Sequence, residues 1–289
     1  MKACARCGST DVDAGWVCRD CRFVPAVIEG VPAFAEEFSE QIAGFDATEF
    51  DALAEAEGGS AWFVARNELI SWAVRTHFPK SRVVHEVGCG TGFVLAALRR
   101  ALPLADLSGS EVLVEGIRHA ASRVPSAAYF QIDARHMPFR EEFDLIGAFD
   151  VLEHIDDDVA VLSELRAALQ SRGGLVLTVP QHGLLWSRQD ELAHHVRRYS
   201  AREIEYKVRR AGFEILRSTS FVTLLLPALV VVRGLGGLVE RQTKTASPKR
   251  STPTERVMSG VLHVERRMIQ AGVPMPVGGS RLIVARRLA

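Results

Sequence analysis

From residue 82 onwards, short apolar runs alternate with amphipathic stretches. Residues 83–87 (VVHEV), 104–110, 128–132, 143–149 and 175–179 each read as a strand bounded by glycine, proline or polar residues. Between them, residues 93–101, 157–170 and 201–211 place apolar side chains at helical spacing. This alternation predicts an α/β fold, a parallel sheet with helices on both faces. Two last strands are expected at 213–220 and 280–286, with a helix over 255–270 between them. Upstream, residues 36–80 are mostly helical in pattern. Gly58-Gly59 interrupts them, Ser60 stands where it can cap the second helix, and Pro79 stops it. Residues 1–35 follow neither period. The expected organisation is a small N-terminal unit over 1–35, a helical lead-in over 36–80, and an α/β domain over 81–289 with an insertion at about 221–275 before the last strand.

Composition narrows this picture. A chain of 289 residues forms one large domain or two modest ones. Apolar residues make up 47% and charged residues 24%, a globular balance that excludes a disordered chain. Lys plus Arg and Asp plus Glu both number 35, so no overall basic field draws the protein to nucleic acid. A local excess does exist over 194–217, with seven Arg or Lys against three Glu. No apolar run approaches the roughly 18 residues of a membrane span. Residues 221–232 (FVTLLLPALVVV) carry no charge but are too short and contain Pro227. They are expected either to cover the sheet or, through 221–240, to touch a membrane interface beside the basic residues that follow. The N-terminus lacks an apolar signal region, so a cytoplasmic location is expected, with peripheral contact on the inner membrane face.

Two places carry chemistry. Cys4-x2-Cys7 and Cys18-x2-Cys21 are two knuckle-like pairs separated by ten residues. Four thiolates complete a closed tetrahedral zinc site, which is structural rather than catalytic. Zinc would supply folding energy that so small a segment lacks. The second place is Glu86-Val87-Gly88-Cys89-Gly90-Thr91-Gly92, between a predicted strand and a predicted helix. Glycines there let the backbone approach a ligand closely, at the strand end where doubly wound sheets bind cofactors. The third glycine of the dinucleotide fingerprint would fall at Phe93, so that fingerprint is not matched.

The run VHEVGCGTG resembles motif I of class I S-adenosylmethionine-dependent methyltransferases. Further segments agree in order and spacing: LSGSE ending at Glu111, Gln131-Ile132-Asp133-Ala134 with Pro138-Phe139, Phe143-Asp144 through Asp150-Val151-Leu152-Glu153-His154, and GGLVLTVP over 173–180. The resemblance covers roughly 80–220 and the last strand. It implies a Rossmann-like seven-stranded methyltransferase sheet with helices on both faces, joined to the N-terminal zinc ribbon. It implies S-adenosylmethionine as cofactor, held by Glu86, Gly88, Cys89, Gly90, Thr91, Gly92, Glu111, Asp133, Ala134 and Asp150. Glu86 would face the methionine part, Glu111 the ribose hydroxyls and Asp133 the adenine amine.

The DVLEH loop and the segment HHVRRYS (194–200) resemble a subgroup that includes ubiquinone-biosynthesis O-methyltransferases. That resemblance makes His154 and His195 candidate catalytic groups. It makes Glu153, Arg198 and Tyr199 candidate substrate-binding groups, and a small or lipid-linked molecule the acceptor. It also raises a divalent metal held by Asp150, Glu153, His154 and a later histidine. Asp156, Asp157 and Asp158 read as a helix start. The continuation FVPAVIEGVPAF (23–34) resembles small zinc-ribbon proteins that activate tRNA and protein methyltransferases. Methylation of RNA, with the ribbon as reader, is therefore the rival function. A cofactor-binding scaffold without catalysis is the third reading.

Overall fold

The computed structural model describes residues 1–39, 49–231 and 253–289. Its centre is a nine-stranded sheet. Chain order gives β1 (Ala26–Ile28), β2 (Val31–Ala33), α1 (Glu49–Glu57), α2 (Ala61–His77), β3 (Val83–Val87), α3 (Phe93–Ala101), β4 (Asp106–Glu111), α4 (Val114–Arg123), β5 (Ala128–Gln131) and β6 (Phe143–Phe149). There follow α5 (Asp158–Ala168), β7 (Leu169–Pro180), α6 (Arg188–Leu192), α7 (Ala201–Arg210), β8 (Phe213–Phe221), α8 (Pro253–Gln270) and β9 (Ser280–Arg287). The strand order is β1-β2-β5-β4-β3-β6-β7-β9-β8. Strands β3 to β7 are mutually parallel, and β9 runs antiparallel between β7 and β8.

The seven expected strands all form, and β1 and β2 add two more. The N-terminal unit is therefore continuous with the sheet: β2 pairs in parallel with β5, at Ala33 opposite Gln131. Its ring of Trp16 packs edge-on against Phe34, Phe130 and Phe139, with centroids 4.8–5.6 Å away. Around it the backbone of Met1–Ala3 bonds to Pro138 and Arg140.

Burial follows the hydrophobic pattern. The helices α2, α3, α4 and α8 bring Ile70, Val74, Leu95, Leu98, Ile117, Leu262 and Ile269 onto one face of the sheet. On the other face, α5 and α7 contribute Val161, Leu162, Leu165, Ile204 and Val208. Strand β3 is buried on both sides, as expected for the middle of a parallel sheet.

Three boundaries differ from expectation. Strand β4 starts at Asp106, because Leu104 turns outward and is 75% exposed. Strand β7 begins six residues early, at Leu169, where a register shift opposite Phe143 and Leu145 absorbs the polar residues before Gly173. Ser60 precedes α2, but its side chain makes no capping bond. The caps expected at α5 and α7 do form: Asp157 accepts from Ala160 N–H and Ser200 from Glu203 N–H. Of the apolar run 221–232, Phe221 and Val222 are buried and 226–231 are helical, while Leu224, Val230 and Val231 are exposed. Residues 232–240 of the expected membrane segment lie outside the described residues.

Candidate active site

The carboxyl ends of β3, β4, β5, β6 and β7 share one edge of the sheet, and the strand order reverses at β3, with β4 on one side and β6 on the other. Open α/β sheets bind ligands at such a switch point. Loop 88–92 leaves β3 there. Gly88, Gly90 and Gly92 adopt φ of 64°, 47° and 73°. A Cβ on Gly88 would stand 2.5 Å from Val151, and one on Gly92 would stand 2.8 Å from the Ala120 backbone. The loop therefore needs glycine for both conformation and space.

Two acids flank this loop. Glu111, at the end of β4, accepts hydrogen bonds from Gly90 N–H (3.0 Å) and Val112 N–H (2.8 Å). Burial raises its pKa although these amides oppose the shift. Glu86 is buried in β3, and its Oε2 has no hydrogen-bond partner among the described residues. Burial holds its pKa well above the carboxylate range; Arg66 opposes the shift, while Glu57 and Glu111 add to it.

Other residues expected at the loop point elsewhere. The Cys89 side chain lies beneath the loop against Gly109. Thr91 donates to Glu57 at 2.7 Å, and Arg123 joins the pair. Asp133 is bound by Arg135 through both carboxylate oxygens. Ala134 is buried in the cluster that contains Trp16. Above the loop, α1 brings Phe50, 3% exposed, against Gly90 and Gly116. A groove of about 460 Å³ opens away from the strand ends, between the Gly58-Gly59 turn, Phe93, Ala96, Arg100 and Arg123.

Beyond β6 a second group of side chains gathers. Asp150 takes a left-handed φ of 57° and pairs with Arg66, which α2 delivers from the opposite side. Glu153 is fully buried, and neither of its carboxylate oxygens has a hydrogen-bond partner among the described residues. Burial and the nearby Asp150 push its pKa well up. The His154 and His195 rings meet edge-on at 4.8 Å. His154 is exposed on one side; the protein packed on its other side, and then His195 itself, lower its pKa to about 4. His195 Nδ1 lies 2.9 Å from Asp190, and its Nε2 faces Glu153 at 4.0 Å. Metal-capable atoms of Glu153, His154 and His195 all lie within 4.8 Å of one another.

Arg198 is almost buried and orients this group: it bonds to Asp190 at 2.6 Å and to the Gln181 carbonyl. Asp190 is desolvated, yet the bonds from His195 and Arg198 hold its pKa well below the carboxylate range. Tyr199 departs from expectation. It is 0% exposed, and its hydroxyl donates to Leu152 O and Asp158, so it braces the core instead of facing an acceptor. Phe50, Glu57, Arg66 and Asp190 belong to the site's surroundings and were not expected there. Their signal is weak, because a charged residue on an amphipathic helix normally reads as its solvated face.

In the N-terminal unit, the sulfurs of Cys4, Cys7, Cys18 and Cys21 lie within 4.8 Å of one another. Cys4 Sγ is 3.5 Å from Cys21 Sγ, and Cys7 Sγ is 3.6 Å from Cys18 Sγ. No disulfide joins them.

Known proteins share this domain and its fold. A family model described as a methyltransferase domain matches residues 63–218. Trans-aconitate 2-methyltransferase of Pseudomonas aeruginosa is 31% identical over 97 residues, 34% of this chain and 35% of that one. The Enterobacter sp. enzyme of the same name is 29% identical over 124 residues, 43% of this chain and 47% of that one. The chain thus spans less than half the length of these curated relatives. A solved complex between the Haloferax volcanii Trm112 methyltransferase activator and a methyltransferase aligns with a TM-score of 0.56 at 19% identity, over 83% of this chain and 98% of that one. Phosphoethanolamine N-methyltransferase 2 of Haemonchus contortus, in complex with S-adenosyl-L-methionine, aligns with a TM-score of 0.53 at 16% identity, over 77% of this chain and 53% of that one. At such identities these structures bear on the fold alone. The family match covers more than half of the chain and coincides with the glycine loop and the strands around it, so the chain belongs to the methyltransferase domain family.

Proposed function

We propose that the enzyme methylates an oxygen, or secondarily a nitrogen, of a small or lipid-linked acceptor held between His154, His195 and loop 88–92. The observation that carries this reading is the paired-histidine group: His195, fixed through Nδ1 by Asp190, beside the unpartnered carboxylate of Glu153.

The cofactor supplies an electrophilic methyl group on a sulfonium. The residues present fit it, since the left-handed glycines open a close backbone approach and Glu86 keeps a buried oxygen free. Glu111 would accept hydrogen bonds from the ribose hydroxyls, and Asp133 and Ala134 would border the adenine. Glu86 would receive the ammonium of the methionine part, and Arg66 its carboxylate. His195 presents Nε2 to take the acceptor proton, and Arg198 holds Asp190 and thereby the ring. This alignment lowers the barrier mainly through positioning.

The charge inventory bears on the acceptor. Arg197 and Arg198 are engaged by carboxylates, on Asp158 and Asp190, and Arg66 is shared between Asp150 and the cofactor. The buried Glu86 and Glu153 add no cation. A polycarboxylate such as trans-aconitate is poorly served by such a site. The segment after β7 instead exposes Leu184, Trp186, Leu192 and Val196, which favours an apolar or lipid-linked acceptor. No helix among the described residues is long and apolar enough to cross a membrane. Glu153, His154 and His195 also have the donor set for a divalent cation, which would activate the acceptor oxygen.

We also infer structural zinc at Cys4, Cys7, Cys18 and Cys21. Tetrahedral Zn–S bonds of about 2.3 Å place sulfurs about 3.8 Å apart, close to the spacings of the two nearer pairs.

Purified enzyme, methyl-labelled cofactor and cell extract split into lipid, small-molecule, RNA and protein fractions test the function, with and without added divalent cation. Label is expected in the lipid or small-molecule fraction and not on added trans-aconitate. Label confined to RNA would replace this reading with the rival one.

A further inference from the structure

Gln131 occupies an unusual position for a residue with no catalytic chemistry. It ends β5, is 0% exposed, and is paired on both sides: Glu111 of β4 on one edge and Ala33 of β2 on the other. Its side chain is spent on the residues that follow those two. Oε1 accepts from Ala35 N–H at 3.0 Å, while Nε2 donates to Ala35 O at 2.6 Å and to Val112 O at 2.8 Å. Its backbone carbonyl accepts from Phe34 N–H at 2.9 Å. Val112 is the residue whose amide holds the Glu111 carboxylate. A single buried amide thus ties the tail of the four-cysteine unit to the residue whose N–H holds Glu111.

The unit also supports the adjacent wall. Trp16 shares one buried cluster with Ile132, Ala134 and Met137, and Ala3 N–H bonds to Pro138 O at 2.9 Å. Only three residues of β1 and three of β2 reach the sheet. Strands that short do not hold their register alone. Their position depends on the folded knuckles behind them, which four converging thiolates would stabilise.

We propose that the N-terminal unit is a built-in brace for cofactor binding: its fold, held by the metal state of Cys4, Cys7, Cys18 and Cys21, fixes Glu111 through the Gln131 bridge. Gln131 is accordingly a positioning residue, and affinity for the nucleoside half of the cofactor follows occupancy of a site that never touches it. This rests on the reading of Glu111 as the ribose acid given above.

The test uses the full chain, with calorimetric binding of S-adenosylhomocysteine and of 5′-methylthioadenosine, which lacks the amino-acid end. Elemental analysis first fixes the zinc content. Removing zinc is expected to weaken both ligands at least tenfold, and adding zinc back to restore them. Gln131→Leu is expected to weaken both to a similar extent while retaining zinc. Stripping zinc from that variant should add less than threefold, because both changes cut one link. Hydrogen exchange at 33–35 and 131–134 reports whether the brace has opened. If zinc loss exposes those amides and leaves both affinities unchanged, the brace is overturned. So it is if the two perturbations simply multiply, or if Gln131→Leu loosens 131–134 without weakening either ligand. Wild-type protein that binds neither ligand would instead refute the reading of Glu111. Tight binding by wild-type protein purified without zinc would refute the dependence on metal.

Discussion

Arg66 shows how one side chain can organise a site from outside its motifs. It is buried among aromatic rings, with its guanidinium 4.8 Å from the Trp62 ring and 5.3 Å from that of Phe63, and it pairs with Asp150. Its Nε has no hydrogen-bond partner among the described residues. A guanidinium fork suits a carboxylate in a way an ammonium does not. Arg66→Lys is therefore expected to weaken S-adenosylhomocysteine about tenfold, or ~1.4 kcal/mol, and to leave 5′-methylthioadenosine within twofold. Equal losses for both ligands would contradict a role at the methionine carboxylate. His85 makes a different point. It is fully buried, stacks on Phe143 at 4.7 Å and bonds to Ser108 and Ser110, and burial lowers its pKa to about 3. The native state keeps it neutral, while the unfolded chain protonates it below about 6.5. Its contribution to stability is thus complete above pH 6.5 and is lost as pH falls towards 3, at up to ~1.4 kcal/mol per pH unit. Stability measured by denaturant titration should fall less steeply over that range in His85→Gln than in wild type. Parallel curves would show that the ring is not held neutral.

Among the elements, α8 is attached by an arrangement that periodicity does not reveal. Glu265 is buried on its inner face and accepts hydrogen bonds from Val222, Thr223 and Leu224 N–H at 2.5–2.7 Å. Val222 takes a left-handed φ of 60°, an unfavourable conformation for a β-branched residue. Replacing Glu265 by Ala leaves three donors without their acceptor, and a loss of about 2 kcal/mol or more is expected in equilibrium unfolding. A variant of unchanged stability would mean that water replaces the carboxylate at no cost. Legibility at this scale tracked pattern length. Strands β3 and β6 and helix α3 begin and end where the apolar runs and glycines place them. The hairpin of β1 and β2 was illegible, since three-residue strands containing Pro32 carry no period. Tyr199 was misplaced for a related reason. Its neighbours are polar and loop-like, and its burial comes from Asp158 and Leu152, some forty residues earlier. The glycine loop and Glu111 could be found because their chemistry is local in sequence. The Arg66–Asp150 pair could not, because it joins residues 84 positions apart.

Across the whole molecule, the order of strands along the sheet differs from their order along the chain, and β9 is the sharpest case. It lies between β7 and β8, bonding to both over most of its length, and β8 has no other strand partner among the described residues. During synthesis, β8 leaves the ribosome with its pairing edge open. It stays so until residues 280–287 follow, a delay of roughly 3–13 s at ~5–20 residues per second. Over that interval Phe213, Phe221 and Val222 lack the cover they have in the finished protein. Chaperone demand should therefore concentrate in that late window of translation. The N-terminal hairpin faces a similar delay, since β2 waits for β5, encoded about a hundred codons downstream. The finished sheet is thus completed at one side by a hairpin and at the other by a strand, each separated in time from the strand it pairs with.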